Sequence, residues 1–294
     1  MRVLVTGAGG QLGSAISRVA PDDILCVGYT RADLDITDDD AVRRAIKTSS
    51  PDFVINTAAY TAVDRAESEP EAADALNHRA VVTLATACAE FGAHLLHVST
   101  DFVFDGMGNT PIAPDASPKP LGAYGESKLR GEVAALEQAG SATIVRTSWL
   151  YGPGGSNFVR TMLRLMQERP SVSVVCDQLG SPTHVDGLAR ALLAIARLDT
   201  DTRPSILHWC DAGTASWYDL AEATRQAARR RWPDKQWAPL CPISTADFPT
   251  PARRPQYSVL DASNTYQLIG YAPSWMEQLE NALIGGASIH WLGQ

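Results

Sequence analysis

Near its start the chain reads Val3-Leu4-Val5-Thr6-Gly7-Ala8-Gly9-Gly10-Gln11-Leu12-Gly13. A short apolar run breaks into a glycine turn and resumes as a helical pattern, the order of a strand, a tight loop and a helix start. Glycines at 7, 10 and 13 remove side chains where backbone turns sharply, approaches a ligand and packs against the strand. The first N–H groups of a helix lack partners within it, and with the helix dipole they attract phosphate. The spacing is G-x-x-G-x-x-G, with Leu12 where the commoner G-x-G-x-x-G fingerprint has its last glycine. A pyrophosphate-binding turn is expected here, with Gly7, Gly10, Gln11 and Leu12 around it.

Outward from this turn, short apolar runs alternate with helical patterns. Strands are expected at Val3–Val5, Ile24–Val27, Phe53–Ile55, His94–Val98 and Thr143–Val145. Between them, helices are expected at Gln11–Ala20, Asp38–Lys47, Glu71–Phe91 and Ala123–Gln138. The strand runs are continuously apolar, as in a parallel sheet covered on both faces. The fold expected is α/β: a Rossmann-type doubly wound parallel sheet with a smaller, partly interleaved C-terminal substrate lobe. Residues 1–150 would form the dinucleotide-binding domain. Residues 151–294 would form mainly the lobe, with some elements returning to the main sheet, because the pattern changes at Gly152-Pro153-Gly154-Gly155. Leu188, Leu192 and Ile195 follow helical spacing and are expected in the core.

Charge and composition narrow the possible partners. Against 33 acidic residues stand 25 basic ones, a formal charge of -8 without a basic run, which disfavours nucleic acid and anionic membranes. No stretch approaches the ~20 apolar residues of a membrane span. The N-terminal apolar run passes directly into glycines, unlike a secretory leader, so a cytoplasmic location is expected. Cys26, Cys88, Cys176, Cys210 and Cys241 are far apart with no C-x-x-C pair and are expected buried and reduced. His94 and His97, three apart on a strand, face opposite sides and make a poor metal site. The tryptophans, Trp217 among them, are expected to pack the core and lobe.

In an open α/β sheet the ligand lies beyond the carboxyl ends of the strands. The second strand ends in Gly28-Tyr29-Thr30-Arg31, without the acid that usually holds a ribose 2′-OH. Arg31 there favours a 2′-phosphate, hence NADPH, with NADH also possible, and Asp35-Ile36 would meet the adenine. The fourth strand ends in Ser99-Thr100-Asp101, and a later helix carries Tyr124 and Lys128 four residues apart, on one face. A phenol titrates near 10, and a nearby ammonium would lower that value, while the Thr100 hydroxyl would bond a reacting oxygen.

The glycine turn, Ser99-Thr100-Asp101 and Tyr124-x-x-x-Lys128 resemble the extended short-chain dehydrogenase/reductases. Within these the chain resembles the dTDP-4-dehydrorhamnose reductase family nearly end to end. The matching strings include Ala58-Ala59-Tyr60-Thr61-Ala62-Val63-Asp64, Arg146-Thr147-Ser148-Trp149, Asp177-Gln178, Gly180-Ser181-Pro182-Thr183 and Phe248 to Pro255. The resemblance implies NAD(P)H-dependent reduction of the C4 ketone of a dTDP-sugar, with Tyr124 protonating the alkoxide. It implies Lys128 lowering the phenol's pKa and holding the nicotinamide ribose, Thr100 polarising the ketone and Asp101 beside the sugar. It also implies Ala59, Tyr60 and Thr61 at the middle of the cofactor, Trp149 and Val63 at the sugar, and Arg254 at a phosphate or in a loop-anchoring ion pair. A monomer or homodimer is expected. Another dTDP-4-keto-6-deoxy sugar as substrate, or a non-catalytic regulatory subunit of the same fold, is the alternative reading.

Two departures stand out. The family commonly has Tyr where this chain has Phe102, and related dehydratases have Glu there, so Phe102 argues against elimination of water. Some members carry a metal-linked carboxylate where this chain has Ala15, while Asp186 matches a second such carboxylate. A bound metal is therefore not expected.

Overall fold

In the computed structural model, which describes residues 1–285 and Trp291, the apolar runs of the first half lie side by side. They form β1 (Arg2–Thr6), β2 (Leu25–Tyr29), β3 (Phe53–Asn56), β4 (His94–Thr100) and β5 (Ala142–Thr147). Shorter strands follow: β6 (Leu150–Tyr151), β7 (Val172–Val175), β8 (Leu179–Gly180), β9 (Thr183–His184), β10 (Ile206–His208), β11 (Ala215–Ser216) and β12 (Leu240–Ile243). The main sheet has six strands in the order β10-β5-β4-β3-β1-β2, and every neighbouring pair is parallel. The direction of winding reverses between β1 and β3, so the ligand crevice of such a sheet opens at their carboxyl ends.

Side chains alternate across the sheet and supply two cores. Val3, Val5, Ile55, Leu96 and Val145 face α1 (Gln11–Val19) and a later helix, Val185–Ala196. Leu4, Val54, Leu95 and Ile144 face α2 (Asp39–Ser49) and two further helices, Ala80–Phe91 and Ala123–Gln138. Burying both faces is why these strands read as continuous apolar runs. α2 starts where the Asp38 carboxylate accepts from the Ala41 N–H, with Asp39 and Asp40 favourably placed in its first turn.

Between β3 and β4 lie α3 (Val63–Ala66), α4 (Pro70–Asp74) and α5 (Ala80–Phe91). The sequence pattern predicts one helix from Glu71 to Phe91; the chain instead makes a π-helical turn at Ala75–Arg79 between α4 and α5. That wide turn aims Asn77 inward, where its amide receives the Tyr60 N–H and donates to the Tyr60 carbonyl and the Ser127 hydroxyl. α6 (Ala123–Gln138) has the bounds expected of it.

α7 (Phe158–Glu168), α8 (Val185–Ala196), α9 (Trp217–Arg231), α10 (Ser263–Ile269) and α11 (Trp275–Glu280) complete the helices. α7, α9, β7 and α11 share a separate core around Leu163, Met166, Leu220 and Trp275. α8 leaves that lobe and packs on the main sheet with Leu188, Leu192 and Ile195 buried, as their spacing indicates, and β10 joins β5. β10 answers to no strand expected from the sequence. Cys88 and Cys210 are buried and Cys26 is half-buried. Cys176 and Cys241 are exposed, contrary to expectation, because Cys241 lies on the two-stranded β7–β12 ribbon and Cys176 directly follows β7, and two strands are too few to cover both faces. No helix among the described residues is long and apolar enough to cross a membrane.

Candidate active site

A cleft of about 730 Å³ opens beyond the carboxyl ends of β1, β3, β4 and β5. Its first wall is the glycine turn. Gly7 has φ +69°, and a Cβ there would lie 2.8 Å from the Ala58 backbone nitrogen. A Cβ on Gly13 would lie 2.6 Å from Ala8 Cα, so only glycine lets the start of α1 close on the turn. Gly10 precedes α1 and offers no side-chain cap, which leaves the first helical N–H groups free for an anion. The Gln11 amide bridges to the lobe, donating to the Ser156 carbonyl and accepting from Asn157 Nδ2 at 2.8 Å.

Arg31, Asp35 and Ile36 line the far end, and Ala59, Thr61 and Val63 the middle. Tyr60 does not line the cleft. Its phenol turns away to donate to Glu69 at 2.5 Å, and its main chain is clamped by Asn77. A free glycine edge, orphan helix N–H groups and a guanidinium at the end of β2 suit an extended phosphorylated dinucleotide.

Thr100, Asp101, Tyr124 and Lys128 converge on the floor of the cleft, and all four are buried. β4 runs to Thr100, beyond the expected Val98, which puts the threonine at the sheet's mouth. Its hydroxyl donates to Asp101 Oδ1 at 3.0 Å and accepts from the Phe102 N–H. Asp101 Oδ2 is buried without a partner, and burial pushes this carboxyl up to about 6, against the pull of Ser258 and Thr100. Phe102 meets the Tyr124 ring edge-on at 5.5 Å.

Burial pushes the Tyr124 phenol up to about 12; the Thr100 hydroxyl pulls it down and Asp101 pushes it further up. The expected lowering of the phenol by Lys128 is absent. The Lys128 ammonium instead donates to the Val98 carbonyl at 2.7 Å and lies 3.2 Å from His97 Nε2. Burial draws Lys128 itself down to about 8, opposed by Glu132. Glu132 is in turn held by the buried Arg146, 2.7 Å away.

The other wall comes from the segment after β5 and from α9. Trp149 sits in the left-handed region at φ +48°, a costly conformation for a non-glycine residue. Its indole lies flat on Trp217, centroids 3.5 Å apart and planes 6° apart, and both line the cleft. A Cβ on Gly180 would lie 2.7 Å from Trp149 Cζ2, which accounts for that glycine in its motif. Trp217 donates to Gln178, which donates to Thr245, and Thr245 donates to Asp177. Trp217 was expected only to pack; its distance from Trp149 in sequence hid the stack. Arg254 lines the cleft with its guanidinium paired to Asp64 at 2.8 Å and bound to Thr250, so in this state it anchors its loop.

The family described as the RmlD substrate binding domain matches residues 1–285. A dTDP-4-dehydrorhamnose reductase from Mycolicibacterium smegmatis is 42% identical over 96% of this chain and 85% of its own. The chain belongs to the dTDP-4-dehydrorhamnose reductase family. It is accordingly an oxidoreductase. A dTDP-4-dehydrorhamnose reductase from Bacillus anthracis, solved in complex with NADP, superposes with a TM-score of 0.89. It is 35% identical, over 97% of this chain and 99% of that one. One from Clostridium acetobutylicum superposes equally well, at 0.89 and 35% identity, over 96% of this chain and 98% of that one. Within the reductase family's shared frame, Ala15 is buried in the core and Asp186 pairs with Arg18.

Proposed function

We propose that this chain reduces the C4 ketone of dTDP-4-dehydro-L-rhamnose to dTDP-L-rhamnose with NADPH, in the cytoplasm. The observation that carries this reading is the convergence of Thr100, Tyr124 and Lys128 on one floor, flanked by a phosphate turn and a stacked indole wall. Gly7, Gly10, Gln11 and Leu12 would hold the pyrophosphate, Arg31 the 2′-phosphate, Asp35 and Ile36 the adenine, and Ala59 and Thr61 the middle of the cofactor. When bound, the nicotinamide supplies hydride. The sugar would lie between domain 1–150 and lobe 151–294, against Val63, Asp101 and Trp149.

Thr100 would turn its hydroxyl from Asp101 to the ketone oxygen and make its carbon more electrophilic. Charge then grows on that oxygen, and Tyr124 would protonate it. A phenol near 12 is fully protonated at neutral pH and so holds its proton until the alkoxide forms. The phenol therefore enters the step protonated, as the donor a reductase needs. Lys128, easier to deprotonate than an ordinary lysine, would return a proton to Tyr124 and hold the nicotinamide ribose. Arg254 would have to leave Asp64 to meet a substrate phosphate.

The test follows NADPH and NADH oxidation with dTDP-4-dehydro-L-rhamnose and identifies the product by NMR. We expect NADPH to be used and Tyr124→Phe to lose about 10²–10⁴-fold in kcat, the usual share of general acid catalysis. Oxidation of neither cofactor, or full activity in the variant, overturns the reading.

A further inference from the structure

Behind Lys128, on the side away from the cleft, a buried polar row crosses three strands. Thr6 of β1 pairs in register with Asn56 of β3, and Asn56 with His97 of β4. All three are buried. The Asn56 Oδ1 accepts from the Thr6 hydroxyl at 2.6 Å and from the Ala58 N–H at 3.2 Å. Asn56 Nδ2 lies 3.0 Å from His97 Nδ1, and His97 Nε2 lies 3.2 Å from Lys128 Nζ.

Donor and acceptor rules fix the protons along this row. A backbone N–H can only donate, so the amide oxygen of Asn56 faces Ala58 and its nitrogen faces His97. An amide nitrogen also only donates, so His97 Nδ1 accepts, and the proton of the neutral imidazole sits on Nε2. His97 is neutral, because burial first and the neighbouring lysine second hold it well below the ordinary histidine range. The Nε2–H is therefore directed at the lysine nitrogen. An ammonium has no lone pair to receive it, whereas an amine has.

We infer that the Asn56–His97 pair is a positioning device for Lys128, fixing its nitrogen beside the Val98 carbonyl and stabilising the amine left when it gives up a proton. The inference rests on the reading of Lys128 as the proton source for Tyr124. In that step an N–H bond breaks at Nζ, an O–H bond forms at Tyr124, and the freed pair on Nζ accepts from His97. Among the described residues, the other ionisable groups beside Lys128 are Tyr124 and Glu132 on its own helix and Asp101 at the end of β4, with Arg146 of β5 held on Glu132. Glu132 and Arg146 neutralise each other.

The chain has four lysines, Lys47, Lys119, Lys128 and Lys235, and all but Lys128 are exposed. Carbon-13 NMR of lysine-labelled, ligand-free protein therefore follows Lys128 on its own as pH rises. In His97→Leu its midpoint should move up by about one pH unit, towards the other three. The alkaline limb of kcat should move with it. A midpoint that stays or falls overturns the inference. Nitrogen-15 shifts of wild-type His97 give a second reading that survives a variant failing to fold: a proton on Nε2 supports the device, and one on Nδ1 overturns it. If Tyr124→Phe kept full activity while the Lys128 midpoint moved as stated, the catalytic reading would fall and the positioning pair would stand.

Discussion

Tyr124 and Asp211 show how burial can outweigh the other influences on a residue's acid strength. Asp211 accepts from the His184 N–H at 2.8 Å through Oδ2, while Oδ1 is buried with no partner. Burial pushes its carboxyl up from 3.8 to about 7. A group raised on folding adds stability that is complete below its unfolded value and lost as pH rises through the folded one. Asp211→Asn, neutral at every pH, should therefore gain on the wild type between pH 4 and pH 8, by roughly 2–4 kcal/mol. Urea unfolding at several pH values checks this, and an advantage that does not grow with pH would refute it. Such shifts are not legible in sequence. The i, i+4 spacing of Tyr124 and Lys128 is visible at once, but the apolar wall that pushes one phenol up and one lysine down comes from other segments. His97 and Asn56 were equally hidden, since only the sheet's register makes them neighbours.

At the scale of an element, α6 begins without a cap of its own. Gly122 has no side chain to offer, and the Ala123 N–H donates instead to Glu67 Oε1 at 2.9 Å, a carboxylate brought from the end of α3. A carboxylate at a helix start also complements the dipole. Glu67→Ala should cost about 1–2 kcal/mol in urea unfolding, and Glu67→Gln, which keeps an acceptor, markedly less. Equal losses would mean that Glu67 matters by packing alone. The bounds of α6 were readable because its helical pattern is uninterrupted. The π turn at Ala75–Arg79 was not, because what rewards it is Asn77 reaching Tyr60 and Ser127, contacts that local periodicity does not carry.

Over the whole molecule, the continuous apolar runs made the parallel sheet legible, and the glycine turn marked its ligand end. The second wall was less so. It depends on Gly180, Trp149 and Trp217, which are far apart in sequence and meet only in the fold. Trp217→Leu should raise the KM for the sugar nucleotide about three- to tenfold, the worth of one aromatic contact, and leave the NADPH dissociation constant unchanged. Equal weakening of both ligands would place Trp217 in general scaffolding instead. Fluorescence titration with NADPH and initial-rate kinetics with the sugar nucleotide separate the two outcomes.

Trp149 follows the last long strand of the sheet, while Trp217 opens α9, so any shift of α9 against that strand must unstack a pair of flat indoles. Ring systems this close share their electronic excitations, and separation uncouples them. The protein thus carries its own optical gauge, in which the near-ultraviolet dichroism of one pair records whether α9 keeps its place beside the cleft.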